Sequence, residues 1–256
     1  MVNLVEDETW SINLEHGEKW WYAHVLELPG CFMRGDSRER VLSGLPSAIA
    51  DHIAFLQANG INVADKATNF KVVEEIGDIP ELGESGGAVA FFASDLKPVD
   101  EREFQSFLEL MRLNRNELTT LVASLTEEDL EVRPLIGKRT IREDLRHIGN
   151  AEEWYISRMG VKSQRLYESY YRGICPKGRR PKGMERLEAV RKGTVYALEA
   201  LHRAGISRTF KRTAYTRHRD ELWTFRKVLR RFIEHEREHI GTIRKVVDSL
   251  AVREGL

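Results

Sequence analysis

Apolar and polar residues alternate from Trp10 onward: Trp10, Ile12 and Leu14 share one face, and Ser11, Asn13 and Glu15 the other. His16-Gly17-Glu18 reads as a turn, and Trp20 to Leu28 is rich in aromatic and β-branched residues, so the stretch predicts a β-hairpin. Pro29-Gly30 ends it, and Cys31 to Arg34 reads as a short third strand. Asp36-Ser37 supplies an N-cap for a helix over Arg38 to Ala58, where Val41, Leu45, Ala48, Ile49, His52 and Leu56 form one stripe. Asn59-Gly60 stops that helix, and Asn69 to Glu75 reads as a further strand. The pattern is a small β-β-β-α-β unit over residues 1–76.

Glycine and proline punctuate Gly77 to Pro98, which marks residues 77–99 as a linker. Beyond it the period changes to 3.6. A first helix over Glu101 to Leu125 places Phe104, Phe107, Leu108, Met111, Leu118 and Val122 on one face. A second runs from the capping box at Thr140 and Glu143 to Met159, and a third from Met184 to Ala204, stopped by Gly205. The fourth begins at Thr224 and continues to Leu250. The expected fold class is therefore α+β, with a four-helix bundle over residues 100–256.

One repeat sharpens this. Thr140-Ile-Arg-x-x-Leu-Arg returns as Thr224-Phe-Arg-x-x-Leu-Arg, and Glu152 and Glu236 follow at the same offset. Two related helical hairpins packed into one bundle produce such a pattern.

Composition narrows the class. Apolar residues make up 41% of the 256, enough for a substantial core. No run approaches the roughly 20 apolar residues of a membrane span, and the acidic start, Met1 to Glu8, is unlike a secretion signal, so a cytoplasmic protein is expected. Cys31 and Cys175 are far apart and form no CxxC, which suggests neither a disulfide framework nor a thiolate zinc cluster. The net charge is zero, yet residues 1 to 80 hold 6 basic against 13 acidic side chains. The basic excess lies in two stretches read as loops, Lys162 to Lys182 (with Lys177) and Arg208 to Arg219. They suit a phosphate or anionic substrate, or simply a solvated surface, and basic runs of this kind are weak signals for nucleic acid.

Chemistry concentrates on the last helix. Phe225, Val228, Phe232, Ile243 and Val246 define an apolar stripe, and His235 and His239 fall inside it, one turn apart. Glu234, Arg237 and Glu238 are expected on its solvent face. His-x-x-x-His also fits core histidines that hydrogen-bond between helices. Buried imidazoles need partners, however, and a metal ion satisfies both. His147, on the second helix beside Ala151 and Trp154, supplies a third if the second and fourth helices are neighbours. Three imidazoles leave one or two positions open, the arrangement of a catalytic site.

Glu101 to Leu250 resembles the DinB/YfiT-like metalloenzyme family. The motifs are Thr140-Ile-Arg-Glu-Asp-Leu-Arg-His147-Ile-Gly-Asn-Ala-Glu152-Glu-Trp154-Tyr and Trp223 to Gly241, which contains Glu234-His235-Glu-Arg-Glu-His239-Ile. The resemblance implies a four-helix bundle in which His147, His235 and His239 hold a divalent ion, zinc or nickel. It also implies thiol-dependent S-transfer, with a low-molecular-weight thiol as partner, and a tendency to dimerise. A role in DNA repair is not implied.

Trp21-Tyr-Ala-His-Val-Leu-Glu-Leu-Pro-Gly-Cys31 and Gly35-Asp-Ser-Arg-Glu39 are similar to the HicB-like antitoxin domain. The DNA-binding segment of true antitoxins is absent, its place taken by the bundle. Two functions follow. One is a metal-dependent transferase or related enzyme acting on a small molecule. The other is a non-enzymatic regulatory protein whose HicB-like part docks a partner and whose metal is structural. Glu236 is a candidate to orient a ligand histidine or to close a buried ion pair with Arg115, and Trp154 for packing or substrate contact. No catalytic residue is assigned.

Overall fold

The computed structural model describes residues 9–63, 68–133, 139–175 and 179–254. Of the residues singled out above, Met1 to Glu8 and Lys177 lie outside them. The chain is mixed α+β: a small sheet with one helix, then a helical region. It forms two compact units. One is the chain up to Lys97 with Thr213–Glu221, and the other is Pro98–Arg212 with the chain from Leu222 onward.

In the first unit β1 (Trp10–His16), β2 (Trp21–Val25), β3 (Phe32–Gly35) and β4 (Phe70–Ile76) form one sheet in the order β3-β2-β1-β4. The hairpin pairs Ile12 with Val25 through His16 with Trp21, as alternation about the turn demands, and β4 lies parallel to β1. Helix α1 (Arg38–Ala58) starts where Ser37 accepts a hydrogen bond from Arg40 N at 3.2 Å, and it packs Val41, Leu45 and Ile49 against β2 and β3. Pro46 stands inside α1, so burial of this stripe outweighs the hydrogen bond that proline removes.

Both faces of β1 are covered, which places Asn13 and Glu15 in the interior as well as Ile12 and Leu14. Glu15 answers its desolvation twice: Oε1 lies 2.9 Å from His24 Nε2, and Oε2 accepts from Ala90 N at 2.6 Å. The stretch from Gly77 to Lys97 thus belongs to this unit, and the Glu74 carboxylate accepts from Ala93 N at 3.0 Å. Within the same unit, Arg217 and His218 reach Glu81 at 2.8 and 3.0 Å.

The second unit contains α2 (Glu101–Val122), α3 (Glu127–Leu130), α4 (Ile141–Arg158), α5 (Val161–Ile174), α6 (Gly183–Arg203) and α7 (Phe225–Glu254). A two-residue ladder joins β5 (Phe210–Lys211) to β6 (Leu222–Trp223). Helix α2 packs on α7, α7 on α4, and α4 on α6. Leu118, Ile148, Leu187 and Ile243 meet in its core. The stretch from Lys162, expected as a loop, is helical to Ile174, because Ser163 and Tyr167 supply a buried edge that packs on α6. Among the described residues no helix is long and apolar enough to cross a membrane.

Candidate metal centre

Two matching helix starts set the phase of the site. Thr140 Oγ1 accepts from Glu143 N at 3.1 Å while Glu143 Oε2 accepts from Thr140 N at 2.8 Å, closing the capping box of α4. Thr224 Oγ1 accepts from Lys227 N at 3.2 Å at the start of α7, the side-chain half of the same arrangement. From these starts, helical spacing puts Asp144, His147 and Tyr155 on one side of α4, and Phe232, His235 and His239 on one side of α7. The two helices run in opposite directions, with Tyr155 beside Phe232 and His147 beside His239.

His147, His235 and His239 converge. One nitrogen from each lies within 4.8 Å of the others, and His235 Nε2 is 3.1 Å from His147 Nε2. Ring centroids are 4.9 Å apart for His147 with either partner and 4.5 Å for His235 with His239. Burial lowers the His147 pKa from 6.5 to about 4, with His239 and Arg139 opposing its charge further. Burial again, then the two neighbouring imidazoles, pushes His235 well below its ordinary value. Both rings are neutral at pH 7, the state in which imidazole ligates metal.

Asp144 completes the surroundings, with Oδ1 3.2 Å from His239 Nδ1 and 3.6 Å from Arg139 Nη1. The approach to His239 is off the line of a hydrogen bond, so that buried nitrogen has no hydrogen-bond partner. Three clustered imidazoles, one with an unsatisfied nitrogen, fit a divalent ion such as zinc or nickel. The edge of Tyr155 packs against His235, ring centroids 5.8 Å apart.

Next to the histidines lies a closed charge network. Arg115 Nε donates to Glu236 Oε1 at 2.7 Å and Arg115 Nη2 donates to Glu152 Oε1. Arg191 Nη2 reaches Glu152 Oε1 and Glu236 Oε2, both at 2.7 Å, and Arg191 Nε bonds Glu152 Oε2 at 3.1 Å. Burial alone would raise the Glu152 pKa, but Arg191 and Arg115 hold it below the usual carboxylate value. Burial likewise opposes the Arg191 charge, and the two carboxylates outweigh it. Glu236 and Arg115 therefore meet as the sequence suggested, while Arg191 and Glu152 complete a ring that the sequence alone did not show.

Trp154 lies under the Arg158 guanidinium at 4.4 Å, with its ring edge-on to Trp223. Glu234, expected to face solvent, is 4% exposed. It accepts from Arg231 Nη1 at 2.9 Å and Arg230 Nη1 at 3.1 Å, and these cations make its burial tolerable. Asp144 and Tyr155 went unassigned in the sequence. Their offsets from His147, one and two turns along the same face, were the available signal.

These features define a helical-bundle protein with a trihistidine cluster between two antiparallel helices. Residues 110–243 match the family model of the DinB superfamily, and the chain belongs to that superfamily. No curated protein and no solved structure matches the chain.

Proposed function

We propose that the chain is a divalent-metal-dependent enzyme acting on a small molecule, with His147, His235 and His239 as the ligands of a zinc or nickel ion and thiol-dependent S-transfer as its reaction class. The convergence of three imidazole nitrogens within 4.8 Å carries this reading. A bound divalent ion lowers the pKa of a thiol or water at its free position and so supplies a nucleophile near neutral pH. The chain's own residues do the rest. Low imidazole pKa values keep His147 and His235 ready to ligate at neutral pH. Asp144 puts a carboxylate 3.2 Å from His239 Nδ1, where a small turn of the ring would make the orienting hydrogen bond. Tyr155 shields one side of His235 from water. The Arg115–Glu236 pair anchors α7 to α2 directly beside the ligands.

Metal analysis of the untagged protein tests the site. About one ion per chain is expected, lost in His147→Ala and His239→Ala. Absence of stoichiometric metal, or its survival in both variants, overturns the assignment. For the reaction class, a low-molecular-weight thiol added to cobalt-loaded protein is expected to produce a thiolate-to-metal charge-transfer band. No band at saturating thiol removes S-transfer while leaving the metal site standing.

One observation favours a non-enzymatic reading. Glu152 and Glu236 are both engaged by arginines, so neither is free to shuttle protons. In this reading the ion is structural and the first unit, as a HicB-like domain, docks a partner. Its support is the matching motif: Leu28 to Cys31 forms the turn between β2 and β3, and Gly35 to Glu39 forms the entry to α1. X-ray absorption showing four protein ligands and no exchangeable water would select this reading.

A further inference from the structure

The basic stretch that begins at Lys162 acquires a shape once it is folded. Helix α5 lines a groove of about 610 Å³ with Val161, Lys162, Arg165, Leu166 and Tyr170, and Tyr196 of α6 joins the lining. That volume is in the range of small-molecule sites. Three features of the lining point to one ligand chemistry.

First, Lys162 and Arg165 have no carboxylate partner among the described residues, unlike Arg172 two to three turns on, which pairs with Glu168 at 3.1 Å. Two uncompensated cations within one turn attract an anion. They stand in the first turns of α5, where the helix dipole adds to the positive potential. Second, Tyr170 and Tyr196 stack with centroids 4.5 Å apart and 20° between planes, yet Tyr196 is 38% exposed. An exposed ring backed by a second aligned ring is a platform for a flat ligand. Third, Val161 at 55% exposure and Leu166 give the groove an apolar wall that solvent alone does not explain.

We infer that this groove binds a small organic anion bearing a flat ring, its acidic group held by Lys162 and Arg165 and its ring laid on Tyr196, which Tyr170 backs. The site is formed by α5 and α6, whereas the histidines belong to α4 and α7, so the inference does not depend on the metal reading.

The test is a fluorescence titration of the full chain with 8-anilinonaphthalene-1-sulfonate, a ring-bearing sulfonate. Parallel titrations use Lys162→Gln/Arg165→Gln, Tyr196→Ala, and the uncharged N-phenyl-1-naphthylamine. Saturable binding of the sulfonate is expected. It should weaken about tenfold or more in the double variant and in Tyr196→Ala, corresponding to about 1.4 kcal/mol, and the uncharged amine should bind less tightly. Circular dichroism confirms that each variant stays folded, because all three side chains are exposed. Equal affinity in wild type and the double variant overturns the anion contact. Full displacement by inorganic phosphate together with unchanged binding to Tyr196→Ala overturns the ring contact.

Discussion

Glu152 on α4 and Glu236 on α7 are held by the same two guanidinium groups, those of Arg115 on α2 and Arg191 on α6. Exchanging α2 with α6 and α4 with α7 maps this network onto itself. The sequence repeat therefore has a physical counterpart, in which two helical hairpins meet at a shared four-charge ring. The histidines break the symmetry. In the register that aligns Thr140 with Thr224, His147 aligns with Arg231, His239 with Tyr155 and His235 with Ala151. Tyr155 and Arg231 do meet, hydroxyl to guanidinium at 3.5 Å, so one half of the bundle gathers imidazoles and the other a phenol and an arginine.

Removing one member of the ring leaves charges buried without compensation. Arg191→Met is expected to cost about 3–5 kcal/mol, read as a lower urea midpoint. In a double-mutant cycle, Arg191→Met and Glu152→Gln should couple by about 0.5–3 kcal/mol. Strict additivity would show that the ring is not energetically connected.

Acid should weaken the metal-free protein through its histidines. The unfolded imidazole titrates near 6.5 and the folded His147 near 4, and His235 is displaced in the same direction. Between those values the unfolded chain binds more protons, so stability is complete above pH 6.5 and is lost as pH falls through 4. Thermal midpoints of metal-free wild type and His147→Ala across this range check it. The slope should be shallower in the variant.

The helix starts offer a local test. Thr140→Ala and Thr224→Ala each remove the side-chain acceptor of a first-turn N–H. Each is expected to cost about 1 kcal/mol in chemical unfolding, while Ser at either position restores most of it.

Helix α5 packs on α6 where Gly193 admits Tyr167. A Cβ at Gly193 would lie 2.9 Å from Tyr167 Cε2. Gly193→Val is expected to destabilise by about 1–3 kcal/mol and to raise amide exchange in α5 ahead of α7. Unchanged exchange in α5 would show that this contact does not hold the helix.

Much of this was legible because short-range rules wrote it. Period-2 alternation located β1, aromatic and β-branched content located β2, and the two threonine starts fixed the phase of α4 and α7, hence which residues share a face with His147, His235 and His239. What escaped was long-range. Arg191 carried no signal of its own in the sequence, and the fold brought Glu152 and Glu236 to it. Glu234 lay on the polar side of the projection, and the Arg230 and Arg231 guanidiniums beside it offset its burial. Helix α5 hid behind its charge, since its buried edge is narrow, carried by Ser163 and Tyr167.

The short loop between β5 and β6 has a topological consequence. The chain leaves the first unit after Lys97, re-enters it at Thr213 and leaves again after Glu221. One proteolytic cut after Lys97 cannot release two complete units, since the fragment beginning at Pro98 still carries Thr213–Glu221, a piece of the other. The units are interlaced in the order of synthesis too: the first is finished only after most of the second has been made.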